Sequence, residues 1–112
     1  MKKIFAIPTT NGVLDGHFGH CHEFTFIEVE NDEIGASTIH TPPPHEPGVL
    51  PKWIASQGAT DVIAGGMGQS AINIFNQNKV NVFVGAPKLK PNELVTAFLS
   101  KALTLNENYC DH

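Results

Sequence analysis

Two short runs, Ile4-Phe5-Ala6-Ile7 and Val62-Ile63-Ala64, contain no polar residue. Unbroken apolar runs of this length suit strands that are covered on both faces. A strand covered on both faces needs a layer above it and a layer below it. The first three strands are spaced as an antiparallel meander, and the order of elements that follows points to an α/β architecture. At 112 residues the chain is long enough to bury such a core within one domain.

The remaining elements fall in order along the chain. The first strand, Ile4 to Ile7, is expected to end at Pro8. A polar loop follows, Thr9-Thr10-Asn11-Gly12. Phe24 to Glu30 is rich in aromatic and β-branched residues and reads as a second strand. Asn31-Asp32-Glu33 reads as a turn, and Ile34 to Ile39 as a third strand weakened by Gly35. His40-Thr41-Pro42-Pro43-Pro44-His45-Glu46-Pro47-Gly48 forbids helix and reads as a semi-rigid loop. Val49, Leu50, Trp53 and Ile54 then fall on one helical face, with Pro51 tolerable in the first turn and Gly58 suited to the C′ position. A βαβ unit follows: a strand Asp61 to Ala64, a turn Gly65-Gly66-Met67-Gly68, a helix ending near Asn78, and a strand Val80 to Val84. Pro91 opens a last helix whose stripe is Leu94, Val95, Phe98, Leu99 and Ala102. Residues 103–112 read as a tail of the single domain 1–112.

The order β-β-β-α-β-α-β-α predicts a three-layer α/β/α domain around a five-stranded mixed sheet of order 3-2-1-4-5. The second strand is antiparallel to its neighbours. Helices one and two cover one face and helix three the other. Phe5, Ile7, Phe26, Val62, Ile63, Phe75, Val82, Val84 and Phe98 are the expected core.

The chain has seven lysines, no arginine and a formal net charge of −4. Arginine is the residue suited to bidentate phosphate and base recognition. Its absence and the acidic balance argue against nucleic acid and against an anionic membrane surface. No apolar run reaches transmembrane length. The basic start, Met1-Lys2-Lys3, precedes an apolar stretch too short for a signal-peptide core, so a cytoplasmic location is the expectation. Two cysteines far apart make no disulfide framework and read as free thiols or ligands.

Chemistry concentrates in Gly16-His17-Phe18-Gly19-His20-Cys21-His22-Glu23-Phe24, with three imidazoles and a thiol in six residues. A second thiol lies in Tyr109-Cys110-Asp111-His112. Imidazole and thiolate are ligands for zinc, copper(I) and iron–sulfur species, and short Cys/His-rich tracts bind metal. The loops after strands one, four and five should share the rim at the carboxyl ends of the strands, where open α/β sheets bind ligands. Gly65, Gly66, Met67 and Gly68 precede a helix N-terminus on that rim, an environment that favours an anion. Gly66-Met67-Gly68-Gln69-Ser70-Ala71 also matches G-x-G-x-x-A, but Val84-Gly85-Ala86 supplies no acid for a ribose, so a dinucleotide site is not expected. Two thiols are too few to hold an iron–sulfur cluster within one chain. A cluster would be preassembled, partly His-ligated, shared between protomers, or held without a full covalent ligand set, which suits transfer or storage. Cys21 beside His20 and His22 also admits an activated thiol, but no orienting Asn or Asp is evident.

Gly16-His17-Phe18-Gly19-His20-Cys21 after a first strand, Ala64-Gly65-Gly66-Met67-Gly68 with its helix, and Val82-Phe83-Val84-Gly85-Ala86 together resemble the dinitrogenase iron–molybdenum cofactor biosynthesis family, in its NifX type and in the C-terminal part of its NifB type. The resemblance runs from strand one to strand five. It implies a ribonuclease H-like fold and a nitrogen fixation-related role: binding, storing or carrying an iron–molybdenum or other metal–sulfur cluster or its precursor, without catalysis. Cluster-assembly proteins are then the expected partners, and the chain a monomer or homodimer. His20 and His22 around Cys21 are a heavier histidine load than the family pattern, and extra imidazole suits zinc or copper as well. The expected metal ligands are His17, His20, Cys21 and His22, with Cys110 and His112 auxiliary. Gly65, Gly66, Met67 and Gly68, with Thr9 and Asn11 of the first loop, are the expected cofactor-binding residues. His45 and Glu46 are secondary.

Overall fold

A computed structural model describes residues 2–15, 23–43, 48–103 and 105. The described elements are β1 (Lys2–Thr10), β2 (Val13–Leu14), β3 (Glu23–Glu30), β4 (Glu33–His40), α1 (Val49–Ser56), β5 (Asp61–Ile63), α2 (Gln69–Gln77), β6 (Asn81–Phe83) and α3 (Pro91–Leu99). The strands form one mixed sheet in the order β4-β3-β1-β5-β6, and β2 pairs with β1 off this path. β3 is antiparallel to both β1 and β4, whereas β1, β5 and β6 are parallel.

Alternation along β1 assigns the layers. Ala6 packs with Phe24, Phe26, Val62, Leu50 and Ile54 of α1, and Phe75 of α2. Phe5 and Ile7 point the other way, into a cluster with Ile27, Val29, Ile63 and Leu94 and Val95 of α3. Helices therefore cover both faces, two on one and one on the other, as an apolar run with no polar side demands. Phe98 of α3 closes the second core through edge-to-face contacts with Phe5 at 5.2 Å and Phe83 at 4.8 Å between ring centroids.

The sheet has six strands among the described residues, one more than the five expected. The addition is β2. Asn11 and Gly12 have φ of 55° and 83°, and they join Thr10 to Val13 in a two-residue hairpin. Positive φ at both central residues is what a type I′ turn requires, and Asn-Gly supplies it at low cost. Asn31-Asp32 makes the same kind of turn between β3 and β4, with φ of 53° and 64°.

β1 also continues two residues past Pro8, where the sequence reading ended it. Pro8 pairs with Phe24 of β3, and its carbonyl accepts the Asp15 N–H at 2.9 Å. A residue's nitrogen and carbonyl oxygen leave a strand on the same side. The missing proline N–H therefore faces the gap between β5 and β2, and the β1–β3 ladder loses no bond.

At the opposite end of the sheet the parallel strands are fastened by Thr60. Its hydroxyl accepts the Ile4 N–H at 2.9 Å and donates to Asp61, which is 2 % exposed. The outer strands are less buried. β4 is exposed along its length and carries one extra residue opposite Ile27–Val29, a bulge that interrupts its free edge. Val82 and Val84 are only half-buried because β6 is the other edge, and Phe98 is likewise half-buried.

Phe75 is fully buried between the sheet and α1, whereas Ile39 on β4 is 63 % exposed. Phe75→Ala should lower unfolding free energy by about 3–5 kcal/mol in urea denaturation, and Ile39→Ala should change it by less than about 0.5 kcal/mol. Equal losses would contradict this layering.

Candidate metal centre

The carboxyl ends of β1, β5 and β6 form one rim. Beyond β5 and β6 the chains stay paired: the Ala64 N–H donates to the Phe83 carbonyl at 2.8 Å, the Gly85 N–H to Gly65 at 2.8 Å, and the Ala86 N–H to Ala64 at 3.1 Å. Gly85 makes the change of direction with φ of 81°. The glycine turn is thereby held flat against its neighbour. Gly65 and Gly66 are buried, and Met67 is 1 % exposed in the core cluster shared with α1 and α2. Its thioether anchors the turn from beneath. Gly68 emerges at the surface as the N-cap of α2, where no side chain caps the helix and no acidic residue stands in the first turn. The first backbone N–H groups of α2 therefore face the rim without a competing carboxylate.

Beside this turn stands the β1–β2 hairpin. The Leu14 N–H donates to the Leu89 carbonyl at 3.0 Å, which ties β2 to the segment entering α3. Thr10 donates to the Asp15 carboxylate at 2.7 Å. Thr9 is 1 % exposed, with its hydroxyl 3.1 Å from that of Thr25 and 3.5 Å from the Glu23 carbonyl. The Thr9 hydroxyl thus stitches β1 to β3 beneath the rim. Asn11 is exposed at the hairpin tip, where its conformation makes the turn.

His17, His20, Cys21 and His22 lie outside the described residues. So do Cys110 and His112, and His45 and Glu46. The residues that flank the first group are placed: Asp15 is bonded to Pro8, and Glu23 is paired with Thr9. Both stand at the same rim as the glycine turn. Among the described residues, no three His, Cys, Asp or Glu side chains are grouped to hold a metal ion. Leu105, the last described residue, lines a cavity with Lys3 and Asp32 at the other end of the sheet.

Thr25, Asp15 and Leu14 were not singled out by the sequence reading. Asn11-Gly12 was the available signal for them, since this dipeptide between β-forming residues marks a hairpin that places Leu14 and Asp15 beside β1.

Thr9→Val should cost about 1–3 kcal/mol by leaving the Thr25 hydroxyl without its buried partner, and Thr9→Ser should recover most of it. Neither should alter metal content per folded molecule, measured by elemental analysis. Loss of metal at unchanged stability would make Thr9 a ligand.

Comparison with known proteins is consistent across sequence and structure. The family described as dinitrogenase iron-molybdenum cofactor matches residues 1–101. An uncharacterized protein of Methanocaldococcus jannaschii, MJ0580, is 32% identical over 83 residues, covering 70% of each chain. The crystal structure of PH0822 superposes with a TM-score of 0.83 at 28% identity, covering 92% of this chain and 96% of that one. MJ0327 of M. jannaschii, described as a candidate dinitrogenase, superposes with a TM-score of 0.75 at 13% identity over 96% of this chain and 98% of its own, a likeness of fold.

Proposed function

The chain belongs to the dinitrogenase iron-molybdenum cofactor family, and on that premise we propose that it binds and carries an iron–molybdenum or related metal–sulfur cluster, or a precursor of one, as a cytoplasmic carrier without turnover. One observation supports the reading most. Asp15 and Glu23, which flank the segment with three histidines and a cysteine, stand at the rim that also holds the uncapped N-terminus of α2. Thiolate and imidazole supply soft and borderline donors. The backbone N–H groups of the first α2 turn offer partial positive charge to an anionic cargo. In this reading Cys21, His17 and His20 hold the metal, with His22 beside them. Gly65, Gly66 and Gly68 present backbone, and Met67 supports them from the core. We read the strand order and layers as ribonuclease H-like.

Few cysteines and an exposed rim suit a cargo that is received and passed on to cluster-assembly proteins. A buried four-thiolate site would instead retain it. The excess of imidazole supports a second reading, a zinc or copper(I) site at the same segment. A third, a thiol enzyme, also needs Cys21 but needs no metal.

Anaerobic incubation with iron, sulfide and tetrathiomolybdate, followed by desalting, absorption spectroscopy and metal and sulfide analysis, separates the three. The expected result is a coloured species containing sulfide. Cys21→Ser should weaken its retention by at least about tenfold, the lower range for loss of a supporting metal contact. Deletion of residues 110–112 should weaken retention only modestly, and His45→Ala hardly at all. Uptake of zinc or copper alone, with no sulfide, would favour the second reading. A turnover lost in Cys21→Ser but indifferent to chelators would favour the third.

A further inference from the structure

The end of the sheet away from the rim carries a cavity whose lining differs in chemistry from the rim. A cavity of about 400 Å³ opens where α3 ends. α3 alone covers this face of the sheet, and its chain turns away sharply at Lys101, with φ of 61°. The Ala102 and Leu103 N–H groups both close onto the Ala97 carbonyl, at 2.8 and 3.1 Å. The turn brings Leu103 and Leu105 alongside Phe83, Phe98 and Leu99, and these five side chains give the cavity apolar walls. Phe83 and Phe98 stand edge to face.

Lys3, Lys101 and Asp32 also line the cavity. The Lys3 ammonium lies 5.8 Å from the centroid of the Phe98 ring. Among the described residues neither Lys3 nor Lys101 is in an ion pair, and the paired ammonium nearby is that of Lys2, held by Glu28 at 2.6 Å. Two cations therefore oppose one carboxylate here, on a chain whose net charge is −4. That local sign is the reverse of the molecule's average.

We propose that this cavity binds a small amphipathic anion: one carboxylate on an apolar, preferably aromatic, body. The volume lies in the range of about 300–1,000 Å³ found for small-molecule sites. The apolar body would cover Phe83, Phe98, Leu103 and Leu105, which are otherwise wetted, and the carboxylate would sit between Lys3 and Lys101. A neutral ligand would leave both cations without a partner, and a cation would meet two like charges.

The test is a ¹⁵N chemical-shift titration of the full chain with 3-phenylpropanoate and with its neutral counterpart 3-phenylpropan-1-ol. The acid should give saturable shifts at the amides of Phe83, Phe98, Leu99, Lys101 and Leu103. Affinity should fall about tenfold in the double variant Lys3→Gln, Lys101→Gln, which removes two partly screened charge pairs. It should fall similarly for the alcohol, and stay unchanged in Lys88→Gln. Lys101 is exposed and Lys3 half-buried; an amide spectrum of the double variant that matches the parent's away from the cavity shows that its fold is unchanged. The proposal is overturned by shifts that do not saturate at these amides, or by equal affinity of acid and alcohol. It is also overturned if the double variant binds the acid as tightly as the parent. None of these readouts depends on metal loading, so a failure here leaves the carrier reading untouched.

Discussion

β1 is the strand on which the other elements depend. One of its edges is hydrogen-bonded to β3 from Lys2 to Thr9; the other is paired with β5 at Phe5 and Ala6 and with β2 at Thr9 and Thr10. Its two faces each supply a core, Ala6 to the α1–α2 side and Phe5 and Ile7 to the α3 side. Its middle, Ile4 to Ile7, is used on four sides and carries no polar side chain, and the buried polar residue of β1, Thr9, has Thr25 as partner. The strand's missing N–H at Pro8 is accommodated because it falls at the gap between two partners.

The same arrangement separates stability from chemistry. Polar groups within the sheet are spent on holding strands together: half-buried Thr60 and buried Asp61 at one end, buried Thr9 and Thr25 at the other. Among the described residues the rim above Thr9 holds Asp15 and Glu23, two buried glycines and an uncapped helix. The edge strand β4 is exposed, but its bulge and the Glu33 and His40 at its two ends oppose regular pairing with another edge.

The candidate site was legible in part. Its candidate donors stand out by type, three histidines and a cysteine within six residues, and they lie outside the described residues. Met67 and Thr9, expected from the sequence beside the cofactor, are both 1 % exposed, Met67 in a hydrophobic cluster and Thr9 against Thr25. Side-chain chemistry is visible in a sequence, but which way a side chain points is set by strand parity and by the layer it meets.

The sequence by itself determined the three helices and five of the six described strands, but not β2. The unbroken run at Ile4–Ile7 demanded cover on both faces, the spacing of Leu94, Val95 and Phe98 demanded a helix against a core, and Asn31-Asp32 demanded a turn, whereas Asn11-Gly12 read only as a polar loop. These are local effects, carried by apolar periodicity and backbone conformational preference. Only the tertiary structure decided that Pro8 remains within the sheet, that β2 completes the exposed side of β1, and that Leu105 starts the tail from the end opposite the rim. Those outcomes depend on contacts between residues far apart in the chain, whose geometry no local pattern encodes.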